Sequence, residues 1–121
     1  MYKRQLLNGY GINGVRFEST TFTPRNAGDR KFESQEVSGV LLIPESTDYD
    51  ASNAAVAMLL ETYSMSGDNW VWSEAHFDRL AGTDSLRLSI EAGAGFTELT
   101  SAWESETQAF EQLRSPYLIY R

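Results

Sequence analysis

A chain of 121 residues with 41% hydrophobic and 12% aromatic side chains is the size of one domain and can bury a core of its own. Its 10 Lys and Arg against 17 Asp and Glu leave a formal charge of −7, which gives no electrostatic footprint for nucleic acid or an anionic membrane surface. With no Cys and a single His there is no disulfide framework and no thiolate metal site, and His76 makes no zinc site without several carboxylate helpers, so no metal or other cofactor is expected.

No apolar run approaches the ~20 residues of a membrane helix, and the basic start, Met1 to Asn8, lacks the apolar core of a secretion signal. Tyr2-Lys3-Arg4-Gln5 matches one reading frame of a transposase adapter used in shotgun sequencing libraries. The first five residues are therefore expected to be adapter, and the true chain to begin upstream. Residues 1–13, with Gly9, Gly11 and Asn13, read as a turn-rich lead-in or linker, and residues 14–121 as the domain.

From Gly14 to Thr23 the alternation of Val15, Phe17, Ser19 and Thr21 with their neighbours predicts a strand, which Pro24 stops. A long polar loop follows over residues 25–38, the kind of segment where binding groups tend to lie. Gly39-Val-Leu-Leu-Ile-Pro is a short apolar run bounded by Gly and Pro, and predicts a buried strand. Val56, Leu59, Leu60 and Tyr63 fall at i, i+3, i+4 and i+7, so a first helix is expected over about Ala51 to Tyr63. Between Ser64 and Ala75, Trp70 and Trp72 flank Val71; in a strand both indoles would share one face, packed on the core or, as the minority reading, presented to a sugar ring.

The stretch from His76 to Glu91 is the pivot of the sequence. A turn on Gly82 delivers Thr83 as a helix N-cap, Asp84 enters the positively charged first turn, and Leu86 and Ile90 define one face of a second helix ending at Glu91. Asp78, Arg79, Thr83 and Asp84 crowd beside that turn and form the densest cluster of polar groups. Asp78 and Arg79 read equally well as a local ion pair pinning the turn. A third helix is expected from near Thr97 to Arg114, with Leu99, Ala102, Trp103, Glu106, Phe110 and Leu113 on one stripe whose only polar member is Glu106. Pro116 ends it, and Tyr117-Leu-Ile-Tyr reads as a last short strand. The predicted fold is α+β: a small mixed sheet packed against about three helices, in a single domain.

Catalytic motifs are not marked out by this pattern. Gly93-Ala-Gly95 lacks the Lys and third Gly of a phosphate cradle and reads as a helix terminator. His76 has no nucleophile elbow to serve. The 17 acids leave any carboxylate pair a question of spacing in space.

Phe77-Asp-Arg-Leu-Ala-Gly-Thr-Asp-Ser-Leu-Arg, then Ile90-Glu-Ala-Gly, Trp103, Phe110 and Ser115-Pro-Tyr-Leu-Ile-Tyr, resemble in order and spacing the C-terminal domain of NamZ-type exo-β-N-acetylmuramidases. Gly14-Val-Arg-Phe, Phe22-Thr-Pro, and Lys31-Phe32 with Gly39-Val40 are similar to the family's entry strand, its Phe-Thr-Pro turn and its Lys-Tyr to Gly-Val segment. The resemblance covers about residues 14–121. Where family members often carry Cys-Gly-Gly-Val-Gln and an Ile-His-Val strand, this chain has Val37-Ser38-Gly39-Val40-Leu41 and Leu42-Ile43-Pro44, and the loop from Pro24 to Lys31 is longer.

The resemblance implies a periplasmic or secreted glycoside hydrolase that releases N-acetylmuramic acid from the non-reducing end of peptidoglycan fragments. A larger Rossmann-like N-terminal domain, missing here, would supply the catalytic carboxylates, and this smaller domain would complete the substrate cleft. By that analogy the chain presents an apolar docking surface and positions a peptidoglycan-derived saccharide through Thr23, Arg25, Lys31, Asp78, Arg79 and Thr83. A guanidinium or ammonium suits the lactyl carboxylate of muramic acid. The other expectation is a stand-alone, non-catalytic module that binds glycan through Trp70 and Trp72 or dimerises.

Overall fold

The computed structural model describes residues 2–26, 28 and 30–119, with Tyr2 described by its backbone alone. The chain divides into two compact units, Met1–Met65 and Ser66–Arg121.

In the first unit the order is α1 (Tyr2–Gly9), β1 (Val15–Phe22), β2 (Val37–Pro44) and α2 (Ala51–Ser66). The strands pair antiparallel from Val15 opposite Pro44 to Phe22 opposite Val37. Both predicted strands are present and the sheet is an antiparallel pair, but β2 is not the buried strand expected: none of its residues is buried and Leu41 is exposed. The apolar alternation at Val15 and Phe17 fixes the register: Phe17 is 1% exposed and packs in the same buried set as Leu7 of α1 and Ala54, Val56 and Ala57 of α2. The inner face of α2 is thus built one turn earlier than its leucines suggest, and Leu59, Leu60 and Tyr63 are half-buried. Asp50 caps α2 by accepting the Asn53 backbone N–H at 2.9 Å.

The lead-in expected over residues 1–13 is replaced in part by α1, because the segment has a structural task. Leu7 is buried, and the Asn8 amide pairs with the β1 edge, donating from Nδ2 to Phe17 O at 3.0 Å and accepting from Phe17 N–H at 2.9 Å. Gly14 is the corner between the two. Its φ of +65° is left-handed, and its carbonyl accepts Glu45 N–H at 2.8 Å while the Asn13 carbonyl accepts Asp50 N–H. The Tyr10 hydroxyl donates to Glu61 Oε1 at 2.8 Å. Burial foremost, then that hydrogen bond and the Glu61 charge, push the Tyr10 hydroxyl up to about 12.

The second unit is helical: α3 (Glu74–Ala81), α4 (Ser85–Glu91) and α5 (Phe96–Arg114), with 3-10 turns at Gly67–Asn69 and Ser115–Tyr117. The α+β class expected from sequence holds; among the described residues the helices number five instead of about three. Tyr117, Leu118 and Ile119 do not form the expected strand, since no strand among the described residues of this unit could pair with them; Tyr120 lies outside the described residues. Trp70 and Trp72 follow a 3-10 turn and lie in no strand. Their indoles meet edge to face, 5.0 Å between centroids and 77° apart, and Trp72 is 4.7 Å from the Phe77 ring. The aromatic rings pack on one another instead of forming a flat platform. Among the described residues no helix is long and apolar enough to cross a membrane, and no group of three or more His, Asp or Glu is placed to hold a metal ion.

Candidate functional site

The residue run 74–91 folds as two short helices around one left-handed glycine. Glu74 stands in the first turn of α3 and Arg79 in its last, each matching the helix dipole, and Gly82 ends the helix at φ 77°, ψ 0°. Thr83 accepts the Ser85 backbone N–H on Oγ1 at 3.1 Å and donates its hydroxyl to Ser85 Oγ at 3.0 Å, but the N-cap position of α4 falls to Asp84 and not to Thr83 as expected, and no side chain caps the helix there.

The ion pair at this turn is not Asp78 with Arg79. Asp78 is gripped by Arg87 of α4, which donates from Nε to Oδ1 at 3.0 Å and from Nη2 to Oδ2 at 2.8 Å, a two-pronged guanidinium–carboxylate contact. Arg87 also reaches Glu91 Oε2 at 3.4 Å, and its side chain is only 10% exposed. The hydrogen bonds from Arg87 hold the Asp78 carboxyl below its ordinary value against the opposing effect of burial, and the Arg87 guanidinium is held more firmly protonated than usual. Arg79 lies exposed on α3, with Nη2 3.0 Å from His76 Nδ1. Of the three expected groups here, Arg79 and Thr83 are exposed, while Asp78 is half-buried and committed to Arg87. Arg87 was legible only as a basic residue three before the buried Ile90, on the inner face of α4.

Thr83 opens onto a groove of about 440 Å³ between α4 and α5. Leu86, Leu99, Ala102 and Trp103 give it apolar walls. Hydroxyls of Thr83, Ser85 and Ser89 and carboxylates of Glu98 and Glu106 complete its lining. Neither Asp78 nor Arg79 lines it.

In the first unit, Thr23, Arg25 and Lys31 are all exposed on the β1–β2 connection. Ser34 N–H donates to the Pro24 carbonyl at 3.0 Å, and Asn26 N–H donates to Glu33 Oε1 at 2.9 Å, which draws the two limbs of the loop together. Asn26, Arg30, Phe32 and Ser34 carry left-handed φ values between 55° and 61°. None of the three expected residues lines the hollow of about 520 Å³ beside the strands, which is bordered by Ser19, Thr20, Thr21 and Ser38 and closed by Lys3 and Met65.

Beyond Trp103, the stripe of α5 is uncovered. Phe110 and Leu113 of α5, and Tyr117, Leu118 and Ile119 just after it, are 51–88% exposed, and the Arg114 guanidinium stands 5.8 Å from the Phe110 ring centre.

A family model described as exo-beta-N-acetylmuramidase NamZ, C-terminal, matches residues 2–120. The peptidoglycan beta-N-acetylmuramidase NamZ of Bacillus subtilis (strain 168) is 26% identical over 118 residues, covering 96% of this chain. The chain spans 28% of that relative's length. No solved structure matches.

Proposed function

Because the chain belongs to the family of NamZ C-terminal domains, we propose that it is the C-terminal domain of an exo-β-N-acetylmuramidase-like glycoside hydrolase. Its parent would release N-acetylmuramic acid from the non-reducing end of peptidoglycan fragments, outside the cytoplasmic membrane in the periplasm or medium. The domain completes the substrate cleft, and the acid and base come from a larger, Rossmann-like N-terminal domain. The observation that carries this reading is the family match over residues 2–120 by a chain that spans 28% of its relative. The uncovered apolar run from Phe110 to Ile119 supports it, since so many large apolar side chains in ten residues is what a docking surface leaves when its partner is absent.

Within this reading the groups that position the saccharide are Thr23, Arg25 and Lys31 on the β1–β2 connection and Arg79 and Thr83 on the second unit. Asp78 acts through Arg87, fixing the turn from which Arg79 and Thr83 project. A lactyl carboxylate needs a cation; Arg25 of the first unit and Arg79 of the second, both exposed, are separate candidates for that role. The test is an assay of the full-length gene product on a chromogenic N-acetylmuramic acid glycoside: release of the chromophore supports the reading, and an inert full-length protein defeats it. The second reading, a non-catalytic module that dimerises, draws on the same apolar run. Sedimentation separates the two, because a dimer broken by Leu113→Glu, with no glycoside hydrolysis in the full-length protein, favours the module.

A further inference from the structure

The sheet of the first unit is an antiparallel pair, so each strand has an outer edge. Glu45 N–H donates to the Gly14 carbonyl at the head of the ladder, and this fixes its phase. Residues of an antiparallel strand turn their peptide groups alternately inward and outward. Val37, Gly39, Leu41 and Ile43 therefore bond to β1, while Ser38, Val40 and Leu42 face away from it. Phe17 follows the same phase on β1, since both its peptide groups point outward and meet the Asn8 amide. The β1 edge is thus closed in part by a side chain. On β2, by contrast, no backbone hydrogen bond among the described residues reaches Ser38, Val40 or Leu42 from outside the strand pair. The devices that guard such an edge are also missing: no charged residue lies between Glu36 and Glu45, and Pro44 closes only the far end.

We propose that the outer edge of β2 is a self-association surface, on which a second copy of this chain pairs its own β2 antiparallel about a twofold axis at Val40. The inference is independent of the proposed function and of the apolar run from Phe110 to Ile119. In that register Val40 faces its own copy and Ser38 faces Leu42, so every outward N–H of the strand meets an outward carbonyl. The side chains fit the same register. Leu41, 51% exposed, falls opposite the partner's Gly39. Gly39 has no side chain, and the Phe22 ring, 54% exposed, leans over it with Cε1 3.3 Å from where a Cβ would stand. Each Leu41 therefore lands against the partner's Phe22 ring, and both exposed side chains leave water. Val37 falls opposite Ile43 on the same face. Charge permits the pairing as well. Glu36 falls opposite Pro44, and Glu45 falls opposite Gln35 and is already held by Arg16 at 2.8 Å. A charged peptide strand would find no countercharge along this edge, whereas the uncharged β2 of a second copy needs none.

The test is sedimentation velocity of the 121-residue chain over a range of concentrations, joined to crosslinking of single-cysteine variants, since the chain has no Cys of its own. A reversible dimer is expected. Leu41→Lys should weaken it about tenfold or more, by placing a cation on the edge and removing a leucine that the pairing buries. Leu41 is exposed, so this change leaves the Phe17 core intact and the circular dichroism melt at low concentration unchanged. Val40→Cys should form an intermolecular disulfide under mild oxidation, its two Cα atoms standing ~5.5 Å apart across the axis, within disulfide range. Ser38→Cys, ~14 Å from its own copy in this register, should not. A monomer at every concentration, a dimer indifferent to Leu41→Lys, or Ser38→Cys linking as fast as Val40→Cys overturns the proposal. So does a dimer broken by Leu113→Glu alone, which belongs to the second unit. A full-length gene product that stays monomeric with its Val40 and Leu42 amides protected from exchange also overturns it, because its own chain then fills the edge.

Discussion

Arg87 of α4 and Asp78 of α3, nine residues apart across the Gly82 turn, form a two-pronged ion pair on a guanidinium that is only 10% exposed. The pair ties the two helices that flank the candidate site, so it controls where Arg79 and Thr83 point. Arg87→Ala should lower the melting temperature by more than Asp78→Ala, because Arg87 also serves Glu91. The double variant should fall short of the sum of the two, as expected for residues in one network. The sign with pH follows from the lowered Asp78 carboxyl: its contribution is present above the unfolded carboxylate value of ~3.9 and is lost as pH falls through the lower folded value. Melting curves followed by circular dichroism should show the Asp78→Asn penalty at pH 7 and its shrinkage in strong acid.

Asn8 carries a second expectation. Its amide takes both peptide groups of Phe17 on the free edge of β1. Asn8→Ala should cost about 1–2 kcal/mol, two modest hydrogen bonds partly replaced by water at an exposed side chain. Asn8→Asp keeps the acceptor for Phe17 N–H but faces the Phe17 carbonyl with a second oxygen, so it should be no better than Ala. Urea midpoints with an unchanged slope would measure both.

At Gly14 the left-handed backbone and the close neighbour act together. A Cβ there would lie 3.0 Å from Tyr49 Cα, which is backbone and cannot step aside, at a φ of +65°. Gly14→Ala should destabilise by about 2 kcal/mol or more. Gly9→Ala, at the end of α1 with nothing within 4 Å of the added carbon, should be neutral or slightly stabilising. Equal effects from the two changes would contradict the corner assigned to Gly14.

Tyr10 is pushed up to about 12 by burial, by its hydrogen bond to Glu61 and by the Glu61 charge. A group raised in the folded state contributes stability below its unfolded value of ~10 and loses it as pH climbs through the folded value. The Tyr10→Phe difference in stability should therefore change between about pH 10 and 12 and be flat below. Glu61→Gln should bring the tyrosinate transition down, read by ultraviolet difference absorbance against Tyr10→Phe.

Sequence pattern read some of this structure and missed the rest for identifiable reasons. Val15 and Phe17 announced β1, and the Gly39 to Pro44 run announced β2, because a two-residue period and Gly or Pro boundaries are local signals. Gly82 and Thr83 announced the turn on the same grounds. The α1 helix escaped because its tie to the fold is one Asn8 amide bonded to Phe17, a contact with no periodicity. The spacing of Trp70 and Trp72 would put both indoles on one face of a strand, yet they pack edge to face on each other, since among the described residues of this unit there is no strand for them to pair with. Arg79 looked like the partner of Asp78 because it is adjacent; Arg87 prevails because the Gly82 turn folds α4 back onto α3.

The most direct measurement is steady-state hydrolysis of a chromogenic N-acetylmuramic acid glycoside by the full-length gene product and its Arg79→Ala and Arg25→Ala variants. A domain that completes the cleft without supplying acid or base should give a raised KM with kcat largely kept in at least one variant. Loss of kcat by three orders of magnitude or more at unchanged KM, on the scale of removing a catalytic group, or no hydrolysis by the full-length protein at all, would contradict that role.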